Sequence, residues 1–142
     1  MHWPPAFGKV FMLQDKMGRK FHYLRLSITD VCNFKCTYCL PDGYQCDTPR
    51  DFLSTAEIGN IVSAFAKLGT SKVRITGGEP ALRKDLAEVI KLCSQQPGIT
   101  DVALTTNGFN LERSINKWVE AGLTSLNVSI DSLDPNMFNA IT

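Results

Sequence analysis

The sequence predicts an α/β fold built on a parallel β-sheet, and three features of the chain support this prediction. Short apolar segments typical of strands alternate with amphipathic segments typical of helices, in four successive pairs. Polar residues follow the end of each predicted strand, where parallel α/β folds place their functional sites. The glycine-containing helix exits at 69–71 and 122–125 look like the same corner of a repeated βα unit.

The first strand and helix are separated by a long loop. The segment 23–29 alternates and is rich in apolar residues, which predicts a strand. A cysteine-containing loop follows and runs to about residue 52. Ser54 is expected to begin the first helix, because Glu57 three residues later completes a capping box. Gly69 then ends this helix.

The next two βα units repeat this order. The second and third strands are predicted at 72–76 and 101–106, and the fourth at 125–131. Asp85 is expected to cap the second helix, and Gly122 ends the third. The apolar faces of these two helices are Leu86, Val89, Ile90 and Cys93 in the second, and Leu111, Ile115, Trp118 and Val119 in the third.

The last predicted element is a fourth helix, which Asp134 opens with Pro135 at the first helical position. Four βα units do not close an eight-stranded barrel, and they leave a sheet edge that needs a partner. We therefore expect residues 13–142 to be the N-terminal part of a larger, truncated (β/α) barrel. Residues 1–12 lack periodicity and are expected to form a loose tail.

Composition describes one ordinary soluble domain. The 142 residues are 44% hydrophobic and 20% charged, with a net charge of +1. We expect no membrane segment and no broad nucleic-acid surface, because there is neither a long apolar run nor a basic stripe. The N-terminus shows no secretory pattern, and a cytoplasmic location is expected. Lys35, Arg83 and Lys84 are expected to be solvated charges.

The loop after the first strand contains the most informative pattern, a C-x3-C-x2-C triplet formed by Cys32, Cys36 and Cys39. Iron–sulfur clusters are normally held by four cysteines, so three thiolates would leave one iron of a [4Fe-4S] cubane open. An open coordination position distinguishes a catalytic metal site from a structural one. Cys46 and Cys93 are expected to be ordinary thiols, Cys93 on the apolar face of a helix.

Three other interpretations of the triplet stay open. A structural zinc site usually takes four ligands in two pairs, and no second pair exists, since His2 and His22 lie at no zinc-finger spacing. The pair Cys36 and Cys39 also has the spacing of a thioredoxin-like redox motif, which leaves Cys32 unexplained. A disulfide framework is disfavoured, because five cysteines is an odd number and no secretory signal precedes them.

The triplet in its context resembles the signature of the radical S-adenosylmethionine (SAM) enzymes. A strand leads directly into the loop, Tyr38 precedes the third cysteine, and 76–80 resembles the GGE motif of that family. The resemblance implies that SAM chelates the open iron and is cleaved by one electron to a 5′-deoxyadenosyl radical. It also implies that the backbone of Tyr38 meets the adenine. The alternative is that Tyr38 is simply a buried aromatic.

Within that superfamily the chain resembles the GTP 3′,8-cyclase family of molybdenum cofactor biosynthesis over roughly residues 13–142. The segments that carry this resemblance are 15–19, 24–34, 72–80, 104–108 and 126–134. In that family the adenosyl radical takes hydrogen from C3′ of GTP, and the ribose carbon then attacks C8 of guanine. The product, 3′,8-cyclo-GTP, goes to a downstream enzyme that forms cyclic pyranopterin.

By that resemblance, Arg25, Arg74 and Thr105 match positions that contact GTP, and Gly78 and Ser129 match positions that contact SAM. The arginines also make physical sense as phosphate ligands, because each lies on a strand of an otherwise apolar sheet, where an unpaired charge is costly. A guanidinium grips a phosphate bidentately.

Each of these assignments has an alternative. Either arginine could instead pair with a carboxylate such as Asp30 or Glu79, and the two hydroxyl residues could be plain strand-end side chains. No residue is assigned a catalytic role. The partners implied are GTP, an electron donor such as a flavodoxin or ferredoxin, and the downstream pyranopterin-forming enzyme. The exposed sheet edges further predict self-association, with a homodimer among the expected partners.

The chain departs from the cyclase pattern in one respect. The family has a second cysteine triplet whose cluster binds guanine, and a final glycine pair, and neither is in this sequence. The chain alone is therefore not expected to complete the cyclisation. The competing functions are another radical SAM enzyme with a different substrate, and a non-catalytic truncated domain.

Overall fold

The four predicted strands form one parallel sheet with the order β1-β2-β3-β4 in a computed structural model, which describes residues 12–46 and 51–142. The elements in chain order are β1 Tyr23–Ser27, α1 Thr55–Lys67, β2 Lys72–Thr76, α2 Leu86–Ser94, β3 Asp101–Thr106, α3 Leu111–Glu120, β4 Ser125–Val128 and α4 Pro135–Ile141. A short 3₁₀ helix, Pro80–Leu82, lies between β2 and α2. Most of the predicted N-terminal tail lies outside the described residues.

The helix caps account for where the helices begin. The capping box of α1 is confirmed: Glu57 N–H donates to the Ser54 hydroxyl, and the Glu57 carboxylate accepts from Ser54 N–H. The Asp134 carboxylate likewise accepts from Met137 N–H at 2.8 Å and caps α4. Asp85 does precede α2, but the prediction that its side chain caps the helix is wrong, because its carboxylate binds Arg83 instead.

All four strands run in sequential order, so right-handed crossovers place the helices on one face of the sheet. That face is the core, in which α2 packs between α1 and α3. Its fully buried side chains include Val73, Ile75 and Leu104 from the strands. The helices contribute Ile58, Val62, Val89, Ile90, Cys93 and Trp118. Val119 was predicted on the core face of α3 and is 56% exposed instead, because the packed stripe runs from Trp118 to Ala121 and leaves Val119 to one side.

The opposite face of the sheet carries polar side chains. Residues alternate between the two faces of a strand, so Arg25 and Arg74 point away from the helices that their neighbours contact. The two arginines are register partners on β1 and β2. A parallel sheet is usually apolar on both faces, and this one has a polar open face. No helix among the described residues is long and apolar enough to cross a membrane.

Asp101 ties the starts of three strands together. Its carboxylate accepts from the Lys72 ammonium at 2.5 Å and from the hydroxyls of Thr124 and Ser125. These hydrogen bonds lower the pKa of Asp101 to about 2, and the bond from Lys72 has the largest effect. The carboxylate therefore stays charged, and it connects β3 to β2 and β4 at every ordinary pH.

Replacing Asp101 by Asn should make the stability of the chain less sensitive to acid. The pKa is lower in the folded than in the unfolded chain, so the stabilisation is complete above about pH 4 and is lost as the pH falls to about 2. The effect at pH 7 should be below about 1 kcal/mol, because a third of the side chain is exposed. Urea unfolding at several pH values measures it, and the exposed Glu120→Gln variant is the control. An equal difference between wild type and Asp101→Asn at pH 7 and pH 2 would contradict this account.

Candidate iron–sulfur and nucleotide site

The open face of the sheet holds a depression of about 650 Å³. It is lined by Tyr23, Arg25, Lys72, Arg74, Thr105, Asn127, Val128 and Ser129. Four of these eight were chosen from the sequence: the three predicted GTP contacts and Ser129. The sequence patterns did not assign the other four, Tyr23, Lys72, Asn127 and Val128, to the site. Strand alternation would have placed Tyr23, Lys72 and Asn127 on this face, had it been followed strand by strand.

The two arginines stand side by side in this depression. Arg25 and Arg74 are paired in the register, and neighbouring strands lie about 4.8 Å apart. The Arg74 guanidinium donates to the Thr105 hydroxyl at 3.1 Å. Among the described residues neither arginine forms an ion pair, so the pairing with Asp30 or Glu79 is absent. Two like charges placed directly opposite destabilise a sheet, and an anion bound between them would relieve the repulsion.

The cysteine loop begins in close contact with the Gly77-Gly78 turn. Gly78 N–H donates to the carbonyl oxygen of Thr29 at 2.8 Å, and Glu79 N–H to that of Val31 at 2.7 Å. A Cβ on Gly78 would lie 2.3 Å from the Val31 carbonyl oxygen, and a Cβ on Gly77 2.4 Å from that of Thr29. Glycine permits such close approach because it has no Cβ, and the surface approached here is the base of the cysteine loop.

Glu79 is the buried centre of this junction. Its side chain is 0% exposed. One carboxylate oxygen accepts from the Thr106 hydroxyl at 2.6 Å and from Ala81 N–H at 2.9 Å, and the other accepts from Asn107 N–H at 2.6 Å. A buried charge is stable only when its hydrogen bonds are satisfied, and these three donors come from the 3₁₀ helix and the end of β3. Glu79 therefore connects the ends of β2 and β3.

A further bond connects this junction to the first cysteine. The Asn107 amide donates to the side-chain oxygen of Asn33 at 3.0 Å. Asn33 directly follows Cys32, so the end of β3 holds the loop beside a proposed ligand. Neither asparagine was chosen from the sequence as a site residue.

The three cysteines have the chemistry of cluster ligands. Cys32 and Cys36 are partly exposed, Cys39 is exposed, and none forms a disulfide. Across residues 12–46 and 51–142, no group of three or more His, Cys, Asp or Glu side chains is arranged to hold a single metal ion. The ligands of a cubane bind separate irons, so they need not converge on one point. Three accessible thiols on one loop fit a cluster with an open iron.

Tyr38 reaches across the site. Its side chain is 69% exposed, so the alternative of a buried aromatic is wrong. Its hydroxyl donates to both carboxylate oxygens of Asp131, at 3.0 and 2.9 Å. This hydrogen bond raises the pKa of Tyr38 to about 12, so the phenol keeps the proton that it donates to Asp131.

The predicted site residues therefore lie in two regions. Arg25, Arg74, Thr105 and Ser129 share the depression on the open face, whereas the cysteines, Tyr38 and Gly78 lie on or against the loop at the carboxyl ends of the strands.

Two expectations about the remaining residues have opposite outcomes. Cys93 is fully buried on α2, as expected, and burial raises its pKa to about 12. Arg83 is not a solvated charge. Only 13% of its side chain is exposed, and its guanidinium donates to the carbonyl oxygens of Ile28 and Leu53 as well as to Asp85. It fixes the end of β1 next to the segment that enters α1.

The fold and the site together define a class of protein. It is a parallel α/β domain with a cysteine triplet in the loop that follows its first strand. Residues 26–142 match the family model described as the radical SAM superfamily. The chain belongs to the radical SAM superfamily. Membership implies a [4Fe-4S] cluster and S-adenosylmethionine as cofactors, and the three cysteines provide ligands of the right kind and number.

Curated relatives carry a more specific name. The chain is 61% identical over 144 residues to a protein named GTP 3′,8-cyclase from Shewanella denitrificans and 57% identical over 143 residues to one from Tolumonas auensis. A protein of the same name from Vibrio cholerae is 65% identical over 131 residues, which cover 91% of this chain. The chain spans 43% of the length of the first two relatives and 39% of the third.

Solved structures support the fold. A structure described as BtrN in complex with AdoMet and 2-DOIA matches 85% of this chain and 50% of its own with a TM-score of 0.63 at 19% identity. An open conformation of the same protein matches 83% of this chain and 54% of its own with a TM-score of 0.59 at 18% identity. At this identity the likeness shows the fold alone, and it agrees with the partial barrel expected from the sequence.

Substituting Gly78 by Ala should disrupt the base of the cysteine loop. The new Cβ would overlap the backbone oxygens of Val31 and Asp30, at 2.3 and 2.5 Å, and backbone cannot move aside as a flexible side chain can. We expect a loss of about 1–3 kcal/mol in thermal unfolding. The matched control is Gly59→Ala in α1, where nothing lies within 4 Å and a gain of about 0.5–1 kcal/mol is expected. Equal melting temperatures for the two variants would refute the steric argument.

Replacing Glu79 by Gln should destabilise the junction although the shape is kept. The amide retains one acceptor oxygen, and its NH₂ group would face an N–H or hydroxyl donor. Leaving buried donors unsatisfied costs about 1–3 kcal/mol, which chemical denaturation can measure. Exposed Glu88 on α2 offers a control, because Glu88→Gln removes a carboxylate without such bonds. The interpretation fails if both variants unfold at the same denaturant concentration.

Proposed function

We propose that this chain is the cluster-bearing part of a GTP 3′,8-cyclase, the radical SAM lyase of molybdenum cofactor biosynthesis. The observation that carries the proposal is the pair of arginines that stand side by side on the open face, with no carboxylate partner within residues 12–46 and 51–142. The name shared by the curated relatives adds support, although the chain spans less than half of their length. In this proposal GTP is the substrate.

The geometry suggests how GTP would lie. Arg25 and Arg74 face the depression, with Lys72 at its edge, so the triphosphate would bind there in bidentate contact with guanidinium groups. Strands rise about 3.3 Å per residue, so Arg74 lies about 7 Å before the end of β2. The ribose would therefore lie between the phosphates and the cysteine loop, close to the carboxyl ends of the strands.

The remaining residues take roles that fit their positions. Thr105 holds the Arg74 guanidinium in place through the bond at 3.1 Å and contacts the substrate beside it. Cys32, Cys36 and Cys39 would hold the cluster. Gly78 and Ser129, with the backbone of Tyr38, would contact SAM. When bound, the cluster and SAM supply the 5′-deoxyadenosyl radical, and this chain contributes the surfaces that orient substrate and cofactor.

The proposal extends to partners and organisation. Residues 13–142 would form the first part of a (β/α) barrel, and the base of GTP would be bound by a part of the whole protein that this chain does not include. A flavodoxin or ferredoxin would supply the electron, and a cyclic pyranopterin-forming enzyme would take the product. The site of action would be the cytoplasm, and a homodimer would be the assembled form.

Titration with GTP and with tripolyphosphate tests the substrate assignment. Both should bind this chain, because the contacts proposed here are made to phosphate. Arg25→Gln and Arg74→Gln should each weaken binding by roughly 10- to 100-fold, the value of one or two charged hydrogen bonds. Arg113→Gln, which changes an exposed residue of α3, is the control and should bind both ligands as the wild type does.

Anaerobic reconstitution with iron and sulfide, followed by EPR with and without SAM, separates the alternatives. A cubane signal that SAM alters, combined with no binding of either phosphate ligand, would indicate a radical SAM enzyme for another substrate. A folded chain that takes up no cluster would favour a non-catalytic domain. The arginine variants should keep the SAM-dependent signal, because neither residue lies on the cysteine loop.

A further inference from the structure

The cysteine loop is attached to the fold through the residues between its cysteines. Backbone N–H groups of Lys35 and Thr37 donate to the carbonyl oxygens of Thr142 and Ile141, both at 2.9 Å. The Phe34 ring meets the Phe138 ring edge-on, with centroids 5.6 Å apart. These contacts all join the loop to α4.

A fourth contact joins the loop to the segment that leads into α4. The Tyr38 hydroxyl is bound by both carboxylate oxygens of Asp131, which lies between β4 and α4. A hydrogen bond to an ionised acceptor is stronger than one between neutral groups. Four successive contacts therefore hold the spacer residues, whereas the cysteines stay available.

This attachment spans the whole sheet. The loop follows β1 and α4 follows β4, and these strands are the two edges of the four-stranded sheet. The loop must cross the carboxyl ends of all four strands to make these bonds.

We infer that Asp131 and Phe138 are positioning residues, which fix the cysteine loop through its spacer residues before any cluster binds. The inference deepens the proposed function, since its purpose is to hold three thiolates at a set spacing. A flexible loop would lose conformational entropy when it binds a cluster. A loop that is already held by Asp131 and α4 has less entropy to lose, and it should keep the cluster longer.

Hydrogen exchange on the metal-free chain tests the attachment directly. The amides of Lys35 and Thr37 should be protected in the wild type, and Asp131→Ala and Phe138→Ala should each accelerate their exchange roughly two- to tenfold, the value of one modest interaction. Met137→Ala is the matched control, because that side chain lies on α4 and is 56% exposed. Amides that exchange freely in the wild type, or equally in all variants, would overturn the inference.

Cluster release to a chelator, measured by visible absorption after reconstitution, tests the consequence. Asp131→Ala and Tyr38→Phe should each release iron faster, and the double variant no faster than either, because both remove one hydrogen bond. Asp131→Asn keeps an acceptor oxygen and should restore part of the retention. Equal release from wild type and single variants would refute the positioning role.

The two measurements distinguish the inference from the proposed function. A wild type that takes up no cluster would refute the proposed function, while the exchange rates of the metal-free chain still decide whether Asp131 and Phe138 hold the loop. A merely structural effect would lower the melting temperature of the metal-free chain and would change exchange at the Lys35 and Thr37 amides no more than at amides elsewhere in the chain.

Discussion

The buried Glu79 carboxylate is the interaction on which the site depends. It accepts three hydrogen bonds with no solvent access, and the donors come from the 3₁₀ helix and the end of β3. Its own backbone N–H binds Val31 at the start of the cysteine loop. One residue therefore connects the end of β2, the end of β3 and the loop that follows β1, the three places from which most of the site is built.

The two glycines before Glu79 make this junction possible. Their missing Cβ atoms let the turn lie against the carbonyl oxygens of Thr29 and Val31, at distances that no side chain tolerates. Such a turn is common between a strand and a helix. Here it is important because it contacts the base of the cysteine loop. The same packing that sets the base of the loop also decides where the cysteines stand relative to the strand ends.

The two faces of the sheet have different roles: one forms the hydrophobic core and the other forms the depression. One face is buried against α1, α2 and α3, and the other carries the arginines and hydroxyls of the depression. On the open face, Arg25 and Arg74 lie in the middle of their strands, whereas the cysteine loop lies at the carboxyl ends of the strands. A substrate with a negatively charged end would therefore be oriented by the strands, with its other end towards the loop.

Periodicity in the sequence was enough to place the four strands and four helices of the described residues, because helices and strands with one apolar face reveal their period locally. The predicted strands at 23–29 and 125–131 end earlier in the structure, at Ser27 and Val128, and the 3₁₀ helix was not predicted. The cysteine triplet and the GGE turn, with their resemblance to known enzymes, also named the superfamily that the family model confirms. The same resemblance predicted Arg25, Arg74, Thr105 and Ser129 as ligand-binding residues. The structure brings these four together in the depression.

Only the tertiary structure decided which residues far apart in sequence contact each other. Arg83 looked like a surface charge, and it binds backbone oxygens 55 and 30 residues away. Asp85 looked like the cap of α2, but its carboxylate accepts hydrogen bonds from the Arg83 guanidinium instead. Tyr38 pairs with Asp131 across 93 residues. A local pattern records what a residue does for its own helix or strand, whereas the partner of a long polar side chain depends on which groups folding leaves unsatisfied nearby.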